Sequence, residues 1–286
     1  MNDVNFPFGA PSTPRPPRLP TKTTELFVLG VYPSALHVRW TPPTWAQEIE
    51  GVRSVGALAV ADEPTVFWDG IAPTPADLVD AWKQRVGFLD GDAPGRWGRV
   101  SPAGNGTSGR PVLDRVLGPL GISAESTWFS DCVNTFFVKS GKGSQGDAWR
   151  ERYAPFAAAA GCSDATIPQR PSANELVTLA IEHHVDRLRA ELLASNTPRV
   201  VTLGEEARRV LAEITDESSG APMQELTLQS DAPIGDLYGQ KGRVHIGHWT
   251  ASWMALVHPG QRSADWAAIH AAWIDRQRTA IEPLDR

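Results

Sequence analysis

The sequence predicts an α/β protein, a three-layer α/β/α sandwich around a central, mainly parallel four-stranded sheet. Three observations predict it. Short unbroken apolar runs recur along the chain, as expected for strands buried on both faces. Stretches with helical spacing separate those runs, which implies parallel strands joined by crossover helices. Each run ends in a loop rich in Gly, Pro or polar residues, where open parallel sheets bind their ligands.

The first strand is 25–32 (ELFVLGVY), closed by Pro33-Ser34. A second is expected at 128–138 (WFSDCVNTFFV), a third at 199–203 (RVVTL) and a fourth at 252–257 (SWMALV). Helices are expected at 111–120, with Pro111 at its first position, at 172–195 behind a Ser172 cap, at 205–214 and at 264–281. The stretch from about 40 to 106 interrupts the alternation. Its 56–70 segment reads as two short strands around Glu63-Pro64, and 76–88 as a helix. The chain therefore divides into a flexible Pro-rich arm, 1–20, and one domain, 21–286, with an elaborated insertion at about 40–106. Long insertions of this kind are usually functional.

Composition narrows the class. With 41% hydrophobic and 21% charged residues over 286 positions, the chain can bury a full core. No apolar run reaches the ~18 residues that a bilayer demands, and the start lacks a signal-peptide core, so a cytoplasmic monomer is expected. A net charge of −6 argues against a protein that coats nucleic acid, while leaving room for one local basic groove. The two cysteines, Cys132 and Cys162, are too few for a four-cysteine cluster and read as free thiols. Eleven tryptophans are either core anchors or stacking walls. The pair His245 and His248 lacks further ligands, so no metal and no cofactor is expected. KSGKGSQG lacks the spacing of a phosphate-binding P-loop. Gly-x-Ser-x-Gly is absent, which argues against a serine hydrolase using Ser34.

Four strand ends carry unusual residues: GVYPS at 30–34, DCVN at 131–134, LGEE at 203–206 and HPGQRS at 258–263. A parallel sheet sends all four to one edge. Their order and spacing resemble the uracil-DNA glycosylase superfamily over most of the chain. Gly30-Val31-Tyr32-Pro33 is similar to the family's Gly-x-x-Pro loop, and His258-Pro259-Gly260 to its His-Pro-Ser or His-Pro-Ala loop. TSGRPVLDRVLGPLGI (107–122) resembles a Ser-Gly segment followed by a helix, and VNTFFVK a central strand bearing Asn. PRVVTLGEEARRVL (198–211) looks like the strand–Gly–helix unit before the last strand. The cysteines that hold an iron–sulfur cluster in some members are missing. Many members place an acid or amide in the first loop, where this chain has Val31 and Tyr32.

The resemblance implies a DNA glycosylase that leaves an abasic site in DNA. Such an enzyme must extrude the base and stabilise the negative charge that leaves with it. His258 is then the donor to the departing base. Asp131 and Asp69 are the candidate acids that orient water or offset charge on the sugar. Asn134 can pair with a base edge. Tyr32, Gly30, Pro33, Trp68 and Phe136 are the remaining base-pocket candidates. Ser34, Lys139, Ser140, Lys142, Gln261, Arg262 and Ser263 are candidates for DNA contact. Uracil is the default substrate. The altered first loop and the long insertion favour a pocket for a bulkier modified pyrimidine, as in base excision repair or defence against phage DNA with altered bases. The alternative is a non-catalytic reader that keeps the fold and binds flipped or single-stranded DNA. Either reading requires the loops of Pro33, Asn134 and His258 to converge.

Overall fold

The computed structural model describes residue 8 and residues 12–93, 96–161, 168–216, 234–260 and 263–281, with backbone alone at 278–281. The chain is mixed α/β, with a mainly parallel central sheet and a separate antiparallel one. In chain order the strands and helices are β1 (Leu26–Gly30), β2 (Ala35–Thr41), β3 (Val55–Asp62), α1 (Pro75–Val86), β4 (Arg99–Pro102), α2 (the helical run 109–120), β5 (Thr127–Asp131), α3 (the helical run 145–159), α4 (Ala173–Ser195), β6 (Arg199–Leu203), α5 (Glu205–Ile214), β7 (Lys241–Ile246), β8 (Trp249–Leu256) and α6 (Ala264–Ile281).

The central sheet has the order β5-β1-β6-β8-β7. Its first four strands are parallel, and β7 pairs antiparallel with β8. All five β1 residues are buried, as a strand between two neighbours requires. The sheet thus contains the four expected strands and one more. β7 alternates exposed and buried positions, the pattern of an edge strand with one wet face. His245 lies on that strand and His248 in its turn, where Gly247 takes a left-handed φ of 58°. Among the described residues no group of three His, Cys, Asp or Glu could hold a metal ion. No described helix is long and apolar enough to cross a membrane.

Local signals place the helices. α4 begins with a capping box in which Ser172 and Glu175 each accept from the other's backbone N–H. It stops where Asn196 turns left-handed. α1 has the same device in Thr74 and Asp77 and ends at the left-handed Gly87. α5 starts directly after Gly204, whose φ of 111° suits only glycine.

Three expectations need correction. β5 closes at Asp131 instead of running to 138: its bonds to the β1 segment go no further than the Cys132 and Val133 N–H groups, and beyond them the chain bonds another segment. The Asn134 carbonyl accepts from the Arg15 N–H, and the Phe136 N–H donates to Ser12 Oγ. That segment is the N-terminal arm, and its described part, 12–20, is docked. Arg18 and Phe129 exchange backbone hydrogen bonds of 2.9 and 3.0 Å, which satisfies the open edge of β5. The insertion begins at Ala35 and builds its own three-stranded sheet, β3-β2-β4. Its 56–70 segment holds only β3, since Glu63 and the residues after it turn away. A second hydrophobic core, with Phe8, Trp40, Trp82, Tyr153 and Phe156, lies under this sheet. Trp40, Trp82, Trp253 and Trp273 are fully buried anchors.

Candidate functional site

The strand order reverses at one point. From β1 the chain crosses to β5 on one side, whereas from β6 it goes on to β8 on the other. Adjacent parallel strands with diverging connections leave a crevice beyond their carboxyl ends. A cleft of about 860 Å³ opens there. Gly30, Val31 and Tyr32 follow from β1, Leu203 and Gly204 from β6, Asp131 from β5, and His258 from the loop after β8.

Gly30 makes the floor possible. A Cβ at that position would sit 2.1 Å from Asp131 Oδ1 and 2.7 Å from the Phe67 ring. Phe67 itself is held at a φ of 51°, an uncommon and strained conformation for a bulky residue. Its ring stacks on His258 at 6.2 Å between centroids and 16° between planes.

His258 is fixed in one tautomer. The Gly260 N–H donates to Nδ1 at 3.0 Å, so the proton resides on Nε2, which donates to the Ser108 carbonyl at 3.2 Å. Burial lowers the His258 pKa and favours the neutral ring. The site therefore presents a neutral N–H donor.

Two carboxyls lie below it. Asp131 is raised to about 8, chiefly by burial, with Glu191 and Glu63 adding and Arg187 opposing. Arg187 grips the strand end that carries Asp131. It donates to the Asp131 carbonyl at 2.8 Å, the Cys132 carbonyl at 3.0 Å and Ser130 Oγ at 3.1 Å, and pairs with Glu191. Glu63 is buried and raised to about 7, first by desolvation. It accepts from the Gly106 N–H and from Ser108 Oγ, both at 3.1 Å, which ties it to the loop that holds His258.

The raised Glu63 has a consequence for stability. Its folded pKa, about 7, lies above its ordinary 4.5, so the folded state holds the proton more tightly. That contribution is complete below the ordinary value and is lost as pH rises through about 7, at a cost of roughly 3 kcal/mol. Glu63→Gln should therefore lose less stability than wild type between pH 4.5 and 7 in thermal or urea unfolding. An equally steep fall in both proteins would place the titration elsewhere.

The rim is cationic. Arg110, Arg115, Lys139 and Arg170 line the cleft, against the acids Asp131 and Glu206. Arg170 pairs with Glu206 at 2.5 Å and lies 5.7 Å over the Tyr32 ring. Burial raises the Tyr32 hydroxyl pKa despite Arg170, so it stays protonated.

The cleft thus gathers Gly30, Tyr32, Pro33, Ser34, Asp131, Lys139, His258 and Ser263. Several expected residues are not among its lining. Pro33 and His258 meet in the cleft as expected, whereas Asn134 does not line it: Asn134 lies in the bend engaged by the arm, and Asp131 is the residue which that strand end brings to the cleft. Phe136 is buried with Ala35, Ala59 and Val138. Trp68 is buried while its neighbour Phe67 takes the cleft position, because the strained turn sends alternate rings opposite ways. Asp69 serves its own turn, accepting from the Ile71 N–H at 2.9 Å, and its carbonyl accepts from Arg110. Ser140 and Lys142 are exposed on the loop beyond Lys139. Gln261, Arg262 and Cys162 lie outside the described residues. Buried Cys132 has its thiol pKa pushed up by desolvation, the opposite of a reactive cysteine.

Glu63, Phe67, Arg110, Arg115 and Arg170 were not legible as site residues. A glutamate closing the apolar run GALAVAD was a signal for Glu63; the arginines had none. No family model matches the chain, and no curated protein matches it.

Proposed function

We propose that the protein is a DNA glycosylase that draws one nucleotide into this cleft and hydrolyses its N-glycosidic bond. The observation that carries the reading is the meeting of Asp131 and His258, from two strand ends, in one cleft rimmed by cations. A volume of about 860 Å³ admits a nucleotide, and the rim suits the phosphates on either side.

Each group has one task. The bond from C1′ to the base nitrogen breaks, and its electron pair leaves with the base. The His258 Nε2–H, released from the Ser108 carbonyl, donates to the base oxygen where that charge collects. Asp131, once ionised, faces the cationic sugar and takes a proton from the water that bonds to C1′. Tyr32 and Phe67 offer faces to the extruded base. Asn105, the side-chain amide among the described residues that line the cleft, is spent on the backbone N–H and carbonyl of His37 at 2.7 and 2.9 Å. Base choice therefore does not rest on Asn105.

The test is a panel of oligonucleotides carrying uracil, other deaminated bases and large 5-substituted pyrimidines. Alkali-sensitive abasic sites that disappear in His258→Ala support the reading. Release from no member overturns it, and DNA binding without release selects the non-catalytic reader. Lys139 offers a separate check on the rim. Lys139→Ala should weaken DNA binding alike for all sequences and reduce the slope of log K against log salt by about 1. An unchanged slope removes Lys139 from the DNA path.

A further inference from the structure

A second, smaller space lies against the cleft wall. It measures about 190 Å³ and shares Arg115, Val257, His258, Pro259 and Ala267 with the cleft. Its own walls are aromatic and aliphatic: Tyr238, Trp266, His270 and Ile274. Tyr238 and Trp266 stack at 6.1 Å and 28°.

Two of the polar side chains of this space are already matched, while Arg115 stands exposed on the wall shared with the cleft. The Tyr238 hydroxyl meets His270 Nδ1 at 2.5 Å, and His270 Nε2 donates to the Arg115 carbonyl at 3.0 Å. Burial lowers the His270 pKa, which keeps the ring neutral. The walls that belong to this space alone carry no charged group. An apolar cavity of ~150 Å³ holds a benzene ring, so this one accepts a group of about that size.

We propose that this space is a side pocket for a substituent on the base held in the cleft, an apolar group of about one six-membered ring. The inference rests on the glycosylase reading for what occupies the cleft. Continuity through His258 and Pro259 supplies the occupant: a pyrimidine whose O4, one of the two oxygens that share the leaving negative charge, accepts from His258 turns its adjacent C5 edge toward the wall common to both spaces.

The experiment compares oligonucleotides bearing a single uracil or a single 5-phenyluracil. Ala271 lines only the side pocket and belongs to no catalytic group, so Ala271→Phe fills the space and leaves the cleft intact. Wild type should release 5-phenyluracil with a kcat/KM about tenfold or more above uracil. Ala271→Phe should abolish that preference while uracil release stays unchanged. Equal rates for both bases in wild type, or an equal loss of both in Ala271→Phe, overturns the proposal. If neither base is released, the wider oligonucleotide panel decides the glycosylase reading separately. Calorimetric binding of 5-phenyl-2′-deoxyuridine to both proteins then decides the pocket: binding lost in Ala271→Phe sustains it, and no binding or unaltered binding ends it.

Discussion

Asp131→Asn is expected to lower kcat/KM for base release by about 10²- to 10⁴-fold while DNA binding persists. The isosteric amide keeps the packing beside Gly30 but cannot take a proton from water. The pH profile supplies the sharper readout. Asp131 titrates near 8, so at pH 7 most of the free enzyme carries the neutral acid. Activity of the wild type should climb about tenfold per pH unit below that value and level above it. The amide variant should show a low, flat profile over the same range. A wild-type rate that falls as pH rises toward 8 would assign the residue as a proton donor and overturn its role as a base. Stability changes in the opposite direction. The folded pKa lies above the ordinary 3.8, so the folded chain binds this proton more tightly. The benefit is full below about 4 and is lost as pH rises through about 8. Asp131→Asn should escape that loss, being less pH-sensitive in unfolding than the wild type. The site thus gains its base at the cost of a buried charge, a trade common where function opposes stability.

His258→Ala is expected to cost about 10²- to 10³-fold in kcat with a smaller change in KM. The reason lies in when the contact forms. In the resting site Nε2–H is directed at the Ser108 carbonyl, and the departing base competes for it only as its negative charge grows. Binding energy realised late in the reaction appears in kcat rather than KM. His258→Gln, which retains a donor, should recover part of the loss; equal losses in both variants would indicate that the ring acts by packing on Phe67 alone. The neutral imidazole also predicts that kcat shows no descending limb assignable to His258 above pH 7, because burial holds its pKa below the ordinary 6.5.

The fold was largely legible because its determinants are local. Apolar runs such as LFVLG, the capping box at Ser172 and Glu175, and Gly204 before α5 act within a few residues of one another. Those signals placed four parallel strands and brought Pro33 and His258 to one sheet edge. β7 was not expected: KGRVHI alternates with a period of two, but six residues with two charges and a glycine carry too weak an apolar signal to mark an edge strand without its neighbour β8.

The sequence by itself determined the strand–helix alternation, the parallel sheet and the loops that carry Tyr32, Pro33 and His258. Only the tertiary structure decided which neighbours face the cleft: Phe67 over Trp68, Asp131 over Asn134, and Arg170 from a loop with no motif. It also decided the charge states, because a carboxyl's pKa depends on the water excluded around it by segments distant in the chain. The N-terminal arm shows the same limit. It covers the open edge of β5 at Phe129 and engages Asn134 from more than a hundred residues away, and no reading of 128–138 alone contains those partners.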